Sequence, residues 1–200
     1  MKIKNILEHW GISVEELSTA ILENGSLRGM VFGYVAEIKL RQLLEQNPLV
    51  SLIVKDNDHD RTRKADLRIR YRDVEFRLES KSLQTNSIKK LPDGTFTGKT
   101  QVDGSDRRLV RFADGSSLET ILLLPNQFDV LAVNCFAFED TWYWLFARNS
   151  DLPRSSFKRY TPEQQRGLLA SLVEVHKPAR GVFSDDLFVL LDQMMADGHG

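Results

Sequence analysis

Cysteine is almost absent from this chain. One residue, Cys135, among 200 excludes an internal disulfide framework and suits a reducing compartment. Long hydrophobic runs are missing too: stretches such as "VLAVNCFAF" fall far short of the roughly 20 residues of a membrane span. The four histidines, His9, His59, His176 and His199, have no zinc-ligand spacing. "DNDHDRT" at 56–62 is no calcium EF-hand loop, because Arg61 and Leu67 occupy the places of the required glycine and glutamate. Gly115-Ser116-Ser117 lacks the second glycine of a nucleophile elbow. The basic start "MKIKNILEHWG" is interrupted by Glu8 and His9, and no small-residue cleavage site follows. A soluble cytoplasmic protein with no membrane contact is expected.

What is present is an ordinary globular composition. Hydrophobic residues make up 42% and charged residues 28%, enough for one core without long disorder. The net charge of −1 hides an asymmetry: residues 61–111 hold 14 Lys/Arg against 7 Asp/Glu, a net of +7, leaving −8 elsewhere. A positive middle segment fits a polyanionic partner. It fits equally the solvated faces of a long hairpin.

Two short helices are predicted over 2–10 and 13–24, split by Gly11 and ended by Gly25. Ser13 and Glu16 form a capping box for the second. The pair reads as packing against the body or as a small DNA-binding helix-turn-helix. A longer helix follows from Leu27 to Gln46, with Leu27, Met30, Val31, Tyr34, Val35 and Ile38 as its buried face and Asn47-Pro48 as its stop. Strands are expected at 49–56, 65–71 and 74–83. A polar, glycine-containing region then runs to about 117, and a helix is plausible for 117–124. "FDVLAVNCFAF" and "TWYWLFAR" read as a buried hairpin. Cys135 is expected to fill core, and Trp142, Tyr143 and Trp144 to be buried in strand alternation or to stack on bases. Thr161-Pro162-Glu163 opens a helix to about 174, and a last helix covers 184–196. The whole is one α/β domain, 1–200: a helical extension (1–26), a core (27–135), then sheet completion and C-terminal helices (136–200).

The hairpin "ADLRIRYRDVEFRLESKSL" (65–83) alternates apolar and polar residues without a slip. A two-residue turn at Arg72-Asp73 pairs Tyr71 with Val74, Ile69 with Phe76 and Leu67 with Leu78; Arg-Asp is not a favoured turn dipeptide, and a longer loop is the alternative. On the polar face the two-residue turn sets Asp66 opposite Glu79, a pairing that repels unless a cation intervenes or one carboxyl is protonated. Mg²⁺ is commonly held by one or two carboxylates with waters and substrate phosphate. Lys81 shares that face, where an ammonium orients an attacking water and favours its deprotonation.

Asp66, then Glu79-Ser80-Lys81 across the hairpin, resembles the signature of the PD-(D/E)XK nuclease superfamily, which includes many restriction endonucleases. The resemblance covers roughly 27–135: a helix with a glutamate, a strand, the signature hairpin, a helix and a further strand. Ala65 stands where the motif's proline is often found. The resemblance implies a restriction-endonuclease-like core, a central mixed β-sheet flanked by helices. It also implies a Mg²⁺-dependent endonuclease of double-stranded DNA, of restriction type, working as a homodimer. Asp66 and Glu79 would hold metal, Lys81 would position the attacking water, and Glu37 would support the metal or its water shell. "TQVDGSDRRLVRF" (100–112) lies where such enzymes often contact substrate. Lys99, Gln101, Arg107, Arg108 and Arg111 are therefore candidate DNA-binding residues, with a solvated charged turn as the alternative; Lys89 and Lys90 belong to the same group. A repair nuclease or junction resolvase, a catalytically silent DNA-binding module, and an interaction protein whose acidic remainder meets a basic partner remain open.

Overall fold

The computed structural model describes residues 5–55 and 65–198. The polar loop 56–64, with His59 and the excluded calcium-loop sequence, lies outside the described residues, as do His199 and the first residues of the expected 2–10 helix. The fold is mixed α/β around a central mixed sheet. Helices α1 (Ile6–Trp10), α2 (Val14–Glu23) and α3 (Gly25–Glu45) lead into β1 (Val50–Lys55), β2 (Leu67–Tyr71) and β3 (Val74–Ser82). Strands β4 (Lys89–Lys90), β5 (Phe96–Gln101), β6 (Asp103–Arg111) and β7 (Ser117–Leu122) follow, then β8 (Val130–Asn134) and β9 (Trp144–Arg148). Helix α4 (Pro162–Gly167), β10 (Leu172–Lys177) and α5 (Leu187–Ala196) complete the chain.

The central sheet has the order β1-β2-β3-β8-β9, antiparallel except where β3 runs parallel to β8. All five β8 residues are buried, because both faces of the sheet are covered. Among the described residues, helices cover only one. There Ala36, Leu40 and Leu44 of α3 and Leu187, Leu190 and Leu191 of α5 pack on the inner residues of β2, β3 and β8. The other face meets β10 and β5 of the sheet β10-β5-β4, through Val173, Val175 and Phe96 against Leu131, Val133 and Leu145. A sheet therefore stands on one side where flanking helices were expected.

Several element predictions change. Residues 117–122 form β7 rather than a helix: their burial alternates and they pair with β6. Helix α4 stops at Gly167, and "LVEVHK" pairs with β5, its valines Val173 and Val175 pointing inward at a period of two. The crossover from β3 to β8 carries four strands and a 3-10 turn (Thr85–Ser87) in place of the expected helix. Gly25 opens α3 instead of ending α2, since one extended residue, Asn24, separates them. The face expected to be buried on α3 is largely turned out: Leu27, Met30, Tyr34 and Ile38 are exposed, while Ala36, Leu40 and Leu44 at i, i+4, i+8 meet the sheet. Phe32 anchors the outer half of α3 by stacking on Trp142, 5.7 Å between centroids, with Phe136 alongside. Among the described residues no helix is long and apolar enough to cross a membrane.

Candidate active site

The β2–β3 ladder has the anticipated register, Leu67 with Leu78 through Tyr71 with Val74. Arg72 and Asp73 both take positive φ, 46° and 66°, the mirror-image turn that suits the strand twist. At Asp66 the ladder ends, and the expected direct opposition to Glu79 is altered. The Asp66 amide donates to the Leu78 carbonyl at 3.1 Å, one place off the register. Its Oδ2 accepts the Ser80 amide at 2.7 Å. The carboxylate thus replaces a ladder carbonyl, because an amide in a covered strand must find an acceptor.

Glu79 is only 4% exposed. Its Oε1 meets Lys81 Nζ at 2.8 Å, while Oε2 is buried with no hydrogen-bond partner among the described residues. Burial first, and the Asp66 charge second, push the Glu79 carboxyl up to about 7. Asp66 is raised as well, chiefly by burial, with Lys81 and the Ser80 amide opposing. Burial works against the Lys81 charge, but Glu79, Asp66 and Asp103 outweigh it, and its pKa lies above the ordinary value. Lys81 remains an ammonium. β3 places Glu79 and Lys81 on one face by its period of two; the end of β2 delivers Asp66.

Glu37 reaches the same field from α3. Its Oε2 pairs with Lys55 Nζ at 2.7 Å, and its charge acts on both Asp66 and Glu79. Lys55, at the end of β1, also lies over the Tyr34 ring at 4.6 Å. The sequence reading missed Lys55 and Asp103. Asp103 Oδ2 accepts from Gln101 Nε2 at 2.7 Å and Ser171 Oγ at 2.8 Å, and its Oδ1 is buried without a partner. The available signal was the i, i+2 spacing of Gln101 and Asp103, but only β5 and β6 bring them beside Lys81.

The arginine and lysine candidates divide. Lys99 is exposed on β5, and Gln101 is tied to Asp103 and to Gln84 (3.0 Å) at the rim of the acidic cluster. Arg107 and Arg111 are exposed on β6. Arg108 turns inward, its Nη2 donating at 2.8 Å to both the Leu122 carbonyl and Gln127 Oε1, which leaves it braced inside the protein. Burial lowers its pKa. Cys135 is buried core, its thiol pushed up to about 12.

Among the described residues no three acidic, histidine or cysteine side chains form a ready metal cage. Mg²⁺ asks for less, since one or two carboxylates suffice with waters and phosphate. The donors here fit such an ion: hard carboxylate oxygens, with Glu79 Oε2 buried and unpartnered.

No known family model matches the chain, and no curated protein does. Among solved structures it is similar to the bacterial homing endonuclease I-Ssp6803I, at 14% identity and a TM-score of 0.43, over 84% of this chain and 95% of that one. A likeness of that depth fixes neither fold nor activity.

Proposed function

We propose that the chain is a Mg²⁺-dependent endonuclease of double-stranded DNA, of restriction type and built on a restriction-endonuclease-like core. The observation that carries this reading is the buried, unpartnered Glu79 Oε2 beside Asp66, with the Lys81 ammonium 2.8 Å from the other Glu79 oxygen. Asp66 and Glu79 would hold the ion, with Glu37 at the edge of their field. Bound there, Mg²⁺ supplies charge stabilisation for the phosphate and the leaving oxygen. The Ser80 amide fixes Asp66, so one carboxylate oxygen stays oriented before substrate arrives. Lys81, as a full ammonium, donates a hydrogen bond to the attacking water and favours loss of its proton electrostatically. Lys99, Gln101, Arg107 and Arg111 contribute donors for the DNA backbone and bases.

Cutting two strands calls for two such sites, and we assign the partner as a second copy. The exposed stripe on α1–α3, with Trp10, Val14, Leu22, Met30, Tyr34 and Ile38, supports that assignment. A lone buried thiol suits the cytoplasm as its place of work.

Plasmid and long phage DNA incubated with Mg²⁺ or Ca²⁺ test the activity. Discrete fragments that require Mg²⁺ are expected; a smear would mean a non-specific nuclease, and cutting confined to branched DNA a resolvase. Glu79→Ala and Lys81→Ala should each abolish cleavage while circular dichroism reports an intact fold. Full activity in either variant would sink the site. Binding without cutting under every condition would leave a DNA-binding module.

A further inference from the structure

Strands β6 and β7 form a sheet of their own, a two-stranded ribbon outside the other two sheets. One face is pinned to the body. Val110 and Leu122 are buried along it, Arg108 is hydrogen-bonded inward, and a Cβ on Gly167 of α4 would meet the Phe112 ring at 2.9 Å. At the turn, Gln164 Nε2 donates to Ser116 Oγ at 3.2 Å and Thr161 Oγ1 to Asp114 Oδ2 at 3.3 Å. The ribbon is therefore braced by α4 rather than left as an isolated hairpin.

The opposite face is built differently. Leu109 and Arg111 in the regular ladder, and Arg107 at the end of the register break that precedes Arg108, are all exposed, Leu109 by 56%. Across from them on β7 stand Glu119, paired with Leu109, and Ser117, paired with Arg111. Neither Arg107 nor Arg111 has an ion-pair or hydrogen-bonding side-chain partner among the described residues, although Glu119 lies nearby. At its base, β6 begins at Asp103, whose charge acts on Lys81.

We infer that the β6–β7 ribbon enters the major groove of duplex DNA and reads bases there, with Arg107 and Arg111 as the specificity residues and Leu109 between them. The inference rests on the nuclease reading of the Asp66–Glu79–Lys81 site and names how that site is aimed. A two-stranded ribbon fits the width of a major groove, arginine forks onto the guanine edge, and an apolar side chain suits the thymine methyl. Two arginines against the one carboxylate of Glu119 leave this face positive, which supplies the charge complementarity. Four residue steps of strand take Arg107 to Arg111, roughly 13 Å, close to four base-pair steps of about 3.4 Å. Asp103, whose charge acts on Lys81, pairs with Leu122 at the ribbon's base, whereas Arg111 pairs with Ser117 at its far end, which sets the reading face to one side of the candidate site.

A randomised duplex pool, bound in Ca²⁺ and sequenced after capture, tests this with wild type, Arg107→Lys and Arg111→Lys. Wild type is expected to enrich a sequence with two guanines about four pairs apart. Each lysine variant keeps the charge but loses the fork, and should lose about tenfold or more of the preference at its own position only. No enriched sequence in wild type, the same sequence in both variants, or equal enrichment from a single-stranded pool would each overturn the inference. Plasmid cleavage in Mg²⁺ by the same preparation separates the two ideas. Cutting with an unaltered preference overturns the ribbon's role alone. Altered preference without cutting overturns the nuclease site alone.

Discussion

Glu79 holds the chemistry of the candidate site in one side chain. Its carboxyl, ordinarily at 4.5, stands at about 7 in the fold, first through burial and then through Asp66. Between those values the folded chain binds more protons than the unfolded one, so stability falls as pH rises. The contribution is fully present below pH 4.5 and is lost as pH passes through about 7, on the order of 3 kcal/mol in the metal-free protein. Asp66, also raised, acts in the same sense. Thermal melts of metal-free protein at pH 5 and pH 8 should therefore differ, and Glu79→Gln should remove most of the difference. An unchanged pH dependence in that variant would show that Glu79 is not the titrating group. Much of this site is legible in the residues themselves. Glu79 and Lys81 declare their shared face through the period of the strand, whereas Asp66 stands where the ladder ends. The Ser80 amide on Asp66 does not appear at that level, because it depends on where the ladder stops.

At the scale of elements, α3 separates pattern from burial. Its most continuous apolar stripe, Leu27, Met30, Tyr34 and Ile38, faces outward, while Leu40, fully buried, packs against the sheet. Leu40→Ala should cost roughly 3 kcal/mol through lost transfer energy and a cavity. Met30→Glu should change the stability of the isolated chain by less than about 0.5 kcal/mol. Urea unfolding of both variants, at protein concentrations low enough to exclude self-association, checks the contrast; comparable losses would reverse the assignment of faces. Helix starts, by contrast, are local and legible: the capping box of Ser13 with Glu16 and the proline after Thr161 both open helices. Helix ends and the strands at 117–122 and 172–177 were not, since short segments take their state from the partner strand they find.

For the whole molecule the open apolar stripe sets the expectation of a second copy. It runs over three helices, and α1 and α2 bury no residue in the single chain. A stable interface engages on the order of 20–30 residues a side, about the extent of that helical arm. Sedimentation velocity should find a dimer in wild type and a monomer in Leu22→Glu/Met30→Glu, with double-strand cutting of plasmid giving way to nicking. A double variant that sediments as a dimer would place the interface elsewhere.

Composition and periodicity by themselves determined the mixed α/β class, the hairpin register and the shared face of Glu79 and Lys81, because each is governed by contacts a few residues apart. Tertiary structure alone decided which face of α3 is buried and that a second sheet covers the site's side of the central one. It alone brought Asp103 and Lys55 into the field of Lys81 and Asp66. Those outcomes depend on pairings between residues far apart in the chain, where burial and charge act through space and the local pattern carries no record of the neighbour.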